Sequence, residues 1–419
     1  MQPLVTLDRS RLAGLPSDLL DRPAVGAAHA WLQTRVASGE LPFLRLHEDT
    51  ATADRIATFA ASARARFDDC VVLGIGGSSL GGRALVAALG GQGLRVHFPD
   101  NVDPERFGDL VAGLDLGRTL VNVVTKSGGT AETVAQLLVI RERMLRVLGP
   151  ERTRERLVVT TDPERGFLRK LAREEGLTAF DVPPGVGGRF SVLTPVGLLP
   201  AALAGIDPHE LLAGAAWAAS VCGSPDPREN LALAAAACLH SCDVELGRPI
   251  LATVAYADAL GPLGEWFAQL WAESLGKGGR GPTPVSAVGA TCQHSQLQLW
   301  MEGPPNTVVA FVELDAFRRE LDIPNAGLGH HPEVALVAGH AMGHLLRTEK
   351  RATEQALTDA GRPNLTWRLP SVSPRSLAAL MVLWEAMTAY AGALYGIDPF
   401  DQPGVEAGKI IMKRILAEK

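Results

Sequence analysis

The sequence predicts an α/β protein in two doubly wound units with parallel sheets, closed by a C-terminal helix. Three observations carry this. A β-branched run, Cys70 to Leu73, stops at the glycine-rich stretch Gly74-Ile75-Gly76-Gly77-Ser78-Ser79, and a helical pattern runs on to Leu89, as a buried parallel strand turning over a sheet edge would do. From there to residue 182, apolar runs at 94–98, 119–125, 157–161 and 178–182 alternate with helical patterns around 130–147 and 163–175. Beyond residue 207 the alternation resumes, richer in helix: helices near 208–222 and 227–246, strands at 250–255 and 307–314, and long helices near 332–360 and 373–395. The expected divisions are a helical lead-in over 1–50, a first unit over 51–205, a second over 206–400, and a terminal helix over 401–419.

A chain of 419 residues is long enough for two or three cores. Its net charge of -6 and lack of basic runs argue against nucleic acid as the main partner. The five cysteines lie in apolar or helical stretches without C-x-x-C spacing and read as reduced core residues of a cytoplasmic protein. The first ten residues lack a basic region followed by an apolar one, and the apolar stretch 194–222 is interrupted by Asp207, His209 and Glu210. No leader and no membrane partner are therefore expected.

Chemistry concentrates where strands give way to helices. Gly74, Gly76 and Gly77 let the backbone approach a ligand closely, Ser78 and Ser79 are candidate caps, and a helix N-terminus there would receive an anion or a sugar hydroxyl. A dinucleotide loop is the rival reading, with Asp100 near the position of a ribose acid, but Ser79 stands where G-x-G-x-x-G needs its third glycine. A plain βα turn is the simplest reading. The run 119–125 ends in Thr125-Lys126-Ser127-Gly128-Gly129-Thr130 with Glu132 in the next turn: three hydroxyls, two glycines and a lysine at a helix start. That set suits a phosphomonoester, or else is an ordinary Ser/Thr cap with a glycine turn. After the fifth strand, Gly185-Val186-Gly187-Gly188-Arg189 holds a guanidinium at the carboxyl edge of the sheet, where it can meet an oxyanion or remain solvated.

Further on, the helix from Gly261 to Leu275 shows Leu263, Trp266, Phe267, Leu270 and Trp271 on one face. Glu273 falls at the rim of that face and Glu265 on the polar side. A half-buried carboxylate near the negative end of its helix has its charged form disfavoured twice over, which suits a general base; a plain rim glutamate is the alternative. His294 is placed on a short helix facing the same way as Leu297 and Met301, a common setting for a core histidine. His330, His331, His340 and His344 include an i, i+4 pair without a recognisable third ligand, so no metal site is assigned. In the last helix Val405, Lys409, Met412 and Leu416 form one stripe, which puts Lys409 on the face expected to pack, unless it snorkels to water. Pro403 suits the first turn, with Asp401 or Gln402 as cap.

Taken in order, GIGGSSLG (74–81), TKSGGTAET (125–133), VGGRFS (186–191), ESLGKGG (273–279), QHSQLQ (293–298), GRPN (361–364) and FDQPGVEAGK (400–409) resemble the phosphoglucose isomerase family. The resemblance implies two sugar isomerase domains and a cofactor-free interconversion of glucose 6-phosphate and fructose 6-phosphate, a step of glycolysis and gluconeogenesis. It implies a phosphate cradle of Thr125, Ser127 and Thr130 with the backbone of Lys126, and sugar-facing loops at Gly77, Ser78 and Gly188. Glu273 would move the proton between C1 and C2, Arg189 would steady the enediolate, His294 and Lys409 would open the sugar ring, and Gln402 would touch substrate. It further implies a homodimer in which His294 reaches the partner's site.

Three positions depart from the family pattern: Thr125 where serine is frequent, Gly129 where threonine is frequent, and Pro403 where longer members have tryptophan. Thr125 keeps its hydroxyl, so phosphate binding should survive. The chain is also shorter than most members, which bears on the interface more than on the chemistry. A bifunctional glucose/mannose 6-phosphate isomerase would keep every residue above. A sugar-phosphate sensor would pair one such domain with a DNA-reading helix, and none is evident.

Overall fold

The computed structural model describes residues 3–418. Among these residues the strands are β1 (Thr6–Asp8), β2 (Asp69–Leu73), β3 (Arg95–His97), β4 (Thr119–Thr125), β5 (Leu157–Thr161), β6 (Thr178–Asp181), β7 (Ile250–Ala255), β8 (Thr283–Val288), β9 (Thr307–Leu314) and β10 (Asn364–Leu369). They form two five-stranded sheets, in the orders β3-β2-β4-β5-β6 and β1-β10-β9-β7-β8. Every pairing is parallel except that of β1 with β10.

Strand order locates the functional edge. In the first sheet β2 lies between β3 and β4, so the chain leaves β2 in one direction and returns on its other side. At such a switch point the loops beyond the carboxyl ends of the two central strands diverge and leave a crevice. Those loops are 74–79 after β2 and 126–130 after β4, the two glycine- and hydroxyl-rich stretches. β4 is buried along its whole length, as a strand covered on both faces should be. Thr161 at the end of β5 donates to the Thr125 carbonyl at 2.7 Å and so fixes the point where the second loop departs.

The second sheet repeats the switch, with β7 between β8 and β9. The chain leaves β7 into helix Gly261–Leu275, which packs against helix Leu80–Leu89 of the first unit and against the long helix Pro374–Tyr395. Leu263, Phe267 and Leu270 are almost wholly buried there. Each such side chain contributes on the order of 1.5–3 kcal/mol by leaving water, enough to hold this helix firmly between the two halves.

Pro374–Tyr395 opens with reciprocal Ser373 and Ser376 capping bonds and stops at Gly396, whose φ of 68° is the left-handed conformation that glycine adopts freely. It has the length and apolar character of a membrane span, but its most apolar window is 89% buried inside the molecule, so it is the central core helix. Glu385 lies within it, 1% exposed, and burial pushes its carboxyl well above the usual range.

Several local expectations are corrected. The lead-in is not helix alone: β1 forms an edge of the second sheet, and helix Pro23–Ala37 packs on Pro374–Tyr395. β8 and β10, absent from the sequence reading, flank the expected strands; Pro284 and the polar run before Trp367 hide their period. The long helix expected at 332–360 is two, Pro332–Val337 and Met342–Asp359, parted at Gly339 with φ of 85°. Ser79 does not cap: Gly76–Ser78 makes a short 3-10 turn before the helix, and the Ser79 hydroxyl is buried with no hydrogen-bond partner among the described residues.

Candidate active site

The loop after β4 gathers its hydroxyls. Thr125 Oγ1 lies 2.8 Å from Thr130 Oγ1 and 3.1 Å from Ser127 Oγ, and Ser127 and Thr130 are 3.4 Å apart. Thr130 occupies the N-cap position of helix Ala131–Arg154, yet its side chain makes no capping bond. The hydroxyls therefore face one another, and the first-turn N–H groups are left for an acceptor from outside, as an anion site requires. Gly128 has φ of 71°, and a Cβ on it would fall 2.7 Å from Gly166, so glycine is obligatory. Gly129 faces open space. Lys126 turns away from the cradle: its Nζ donates to the Val186 carbonyl at 2.6 Å, tying this loop to the 183–188 turn and leaving its backbone as the contribution to the cradle.

The other loops interlock with that turn. A Cβ on Gly77 would fall 2.4 Å from the Gly188 carbonyl carbon, so the two backbones meet only because Gly77 has no side chain. Ser78 is half-buried beside this contact. Arg189, directly after it, is 3% exposed, and all three of its nitrogens are engaged. Nε donates to Ser274 Oγ at 2.8 Å; Nη1 donates to Gln402 Oε1 and reaches Glu273 Oε2 at 3.5 Å; Nη2 donates to the carbonyls of Pro399 at 2.6 Å and Asp401 at 2.9 Å. Burial draws the guanidinium below its ordinary value, and the Glu273 carboxylate opposes this.

Glu273 is half-buried, with 29% of its side chain exposed, on the last turn of helix Gly261–Leu275. Gln269, one turn earlier, donates to its Oε1 at 3.0 Å. The carboxylate is thus held by an amide on one oxygen and a guanidinium on the other, more support than its helix position alone suggested. Glu265 stays on the polar side and pairs with Arg83. A cleft of about 240 Å³ opens at this point, lined by Glu273, Gly276, Lys277, Gln402, Pro403 and Val405. The arrangement offers one carboxylate for proton transfer, one fixed cation for a developing oxyanion, and an anion cradle on the same sheet edge.

Two sequence candidates stand apart within the chain. The stripe expected to bury Lys409 does not pack: helix Glu406–Ala417 is exposed along nearly its whole described surface, Lys409 included. His294 ends the 3-10 turn Thr291–His294 after β8 and is exposed, off the helix Leu297–Glu302 that carries Leu297 and Met301. Its neighbour Gln293 anchors the turn, donating to Tyr256 Oη at 2.7 Å. His340 and His344 stack at 5.1 Å, but no group of three or more potential metal ligands occurs among the described residues.

A larger hollow of about 480 Å³ lies at the opposite edge of the first sheet, among Arg64, Phe67, Asp68, Gln92 and Arg95. Its arginines are already engaged, Arg95 with Asp69 and Arg64 with the Ala202 carbonyl, so the chemistry belongs at the carboxyl edge. Sequence reasoning missed Gln269 and Ser274 as supports of the carboxylate and guanidinium. The four-residue spacing of Gln269 from Glu273 was the available signal for the first.

Fold and site together define an α/β protein built to hold a phosphorylated small molecule beside a carboxylate–guanidinium pair. Residues 52–419 match the family model for phosphoglucose isomerase, and the chain belongs to that family. It is 49% identical over 372 residues to the glucose-6-phosphate isomerase of Rubrobacter xylanophilus, covering 85% of this chain and 84% of that one. A crystal structure of a hypothetical protein from Thermus thermophilus superposes with a TM-score of 0.92 at 39% identity, covering 99% of this chain and 100% of that one. A glucose-6-phosphate isomerase from Chlamydia trachomatis gives 0.78 at 27% identity, covering 98% of this chain and 80% of that longer one.

Proposed function

We infer that the protein interconverts glucose 6-phosphate and fructose 6-phosphate by ring opening and proton transfer through an enediolate. The observation that carries this is the approach of Arg189 Nη1 to Glu273 Oε2 at the crevice edge shared with the hydroxyl cradle. Phosphate binds Thr125, Ser127 and Thr130, the backbone of Lys126 and the helix N-terminus, which places the sugar carbons toward Gly77, Ser78, Gly188 and Glu273. The Glu273 carboxylate takes the C2 proton of the open-chain aldose and returns it to C1. As the proton leaves, negative charge grows on the substrate oxygens. The buried guanidinium of Arg189 is already in place to meet it, without solvent reorganisation. Gln402 contacts the sugar, and Lys409 and His294 handle the proton traffic of ring opening.

The exposure of His294 and of the apolar face of Glu406–Ala417 supports a homodimer in which His294 serves the partner's site. Segments 51–205 and 206–400 are the proposed sugar isomerase domains, each centred on one sheet. Five buried cysteines, all free, favour a cytoplasmic setting. The test is isomerisation assayed in both directions with the purified protein, in the presence of chelator and alongside mannose 6-phosphate. Turnover of the glucose and fructose esters that persists in chelator is expected. Loss on chelation with recovery on added zinc or manganese, or equal turnover of the mannose ester, would overturn this reading.

A further inference from the structure

The helix that carries Glu273 ends in a turn, 276–281, whose two cations reach back to the chain leading into the terminal helix. Lys277 Nζ donates to the Asp398 carbonyl and pairs with Asp401 Oδ1 at 2.6 Å, and Arg280 donates to the Tyr395 carbonyl. Arg189 takes the next carbonyls, Pro399 and Asp401. The segment 395–401 is thus strapped by three cations, two of them on the turn directly after the Glu273 helix.

Anchoring changes character along this segment. Phe400 stacks among Trp31, Phe43 and Phe190, with ring centroids 5.2 to 6.2 Å apart, and fixes the backbone up to that residue by apolar contact. Residues 401–405 are exposed, so their placement falls to polar contacts. Lys277, four residues after Glu273 and with 15% of its side chain exposed, holds Asp401; the adjacent Gln402 meets Arg189; and Arg189 meets Glu273. The contacts close a ring: Glu273, its own helix turn, Lys277, Asp401, Gln402, Arg189 and Glu273 again.

We propose that Lys277 is a positioning residue for the isomerisation: by holding Asp401 it sets Gln402 against Arg189 and fixes where the chain departs toward Lys409. The proposal rests on the reading of Glu273 and Arg189 as the proton-transfer pair. Phe400 keeps the fold without Lys277, and a partly exposed ion pair adds little to stability. A misplacement of about 1 Å at reacting groups, by contrast, can cost on the order of 10²-fold in rate. The effect of losing Lys277 therefore falls on turnover.

The experiment compares Lys277→Met, Lys277→Arg, Asp401→Asn and the double variant Lys277→Met/Asp401→Asn in the full chain. It reads kcat, KM, the melting temperature and binding of sorbitol 6-phosphate, an acyclic probe of the cradle. Lys277→Met is expected to lose roughly 10-fold in kcat, with probe binding within about threefold of wild type and melting almost unchanged. Lys277→Arg should restore most of the turnover, and the double variant should be no worse than either single change, because one contact is removed. If Lys277→Met does not fold, Asp401→Asn against wild type carries the same test. A kcat within about twofold of wild type, a loss that tracks melting or probe binding, no rescue by arginine, or additive losses would each overturn the proposal. Glu273→Gln in the same assay separates the two failures: retained turnover there defeats the base assignment, whereas collapse there beside a normal Lys277→Met defeats the strap alone.

Discussion

The cradle after β4 and the terminal helix Glu406–Ala417 differ in how far one chain completes them. In the cradle every hydroxyl has a neighbour within the loop, the glycine that needs a positive φ has it, and Thr161 pins the strand end beneath. Along the terminal helix Ile410, Ile411, Ile415 and Leu416 are between 48% and 67% exposed. A run of exposed large apolar side chains on one short helix marks a surface that another body covers. Anion binding and proton transfer are therefore built into the single chain, while the elements proposed for ring opening sit on surfaces that a second copy would complete.

The largest test of that division is Glu273→Gln, which preserves shape and phosphate contacts but removes the base. A loss of about 10²-fold or more in kcat is expected, with sorbitol 6-phosphate still bound and exchange of the C2 hydrogen with solvent abolished. Near-normal exchange would move the base elsewhere, with His294 next in line. Ser127→Ala probes the cradle at an exposed position that bears no core load. One hydrogen bond to a charged phosphate is removed, so KM should rise roughly 10-fold with kcat nearly kept. A fall in kcat with KM unchanged would show that the hydroxyl acts elsewhere.

Subunit mixing addresses the terminal half directly. Inactive His294→Ala and Glu273→Gln chains, exchanged at equal amounts, should recover about a quarter of wild-type activity if sites are shared across a two-fold axis, since one of the two sites in each mixed dimer is then intact. No recovery after exchange has been demonstrated by mass would place His294 in its own chain's chemistry. The smallest effect is expected from Glu385→Gln in the core helix. The folded state keeps a proton on Glu385 that the unfolded chain releases above its ordinary carboxylate range. Its contribution is therefore fully present at low pH and lost as pH rises toward the raised folded value. The amide abolishes that loss, so Glu385→Gln should melt a few degrees higher than wild type at pH 8 and no higher at pH 4. A difference independent of pH would mean that the carboxyl is not held protonated.

Much of this was legible without coordinates. Alternating strands and helices follow from residue periodicity, which is local, so the bounds of β4, β5, β7 and β9 read from the sequence coincide with those in the structure. Loop chemistry was legible for the same reason: glycines and hydroxyls at a strand-to-helix turn state their purpose within six residues. β1, β8 and β10 were not, because short edge strands or runs broken by Pro284 carry too little period, and their pairing partners lie far along the chain.

By itself, then, the sequence determined the α/β class, the two switch-point loops, the cradle hydroxyls and Glu273 on the rim of its helix, all consequences of order along a backbone. Only the tertiary structure decided how these meet. It closed Gly77 on Gly188, buried Arg189 against Ser274, Glu273 and the carbonyls of 399 and 401, and turned Lys126 toward Val186. It also left Lys409 outside the packed face that its stripe foretold. An amphipathic period states that a helix has an apolar side, but the surface that covers that side depends on atoms hundreds of residues away or on another chain.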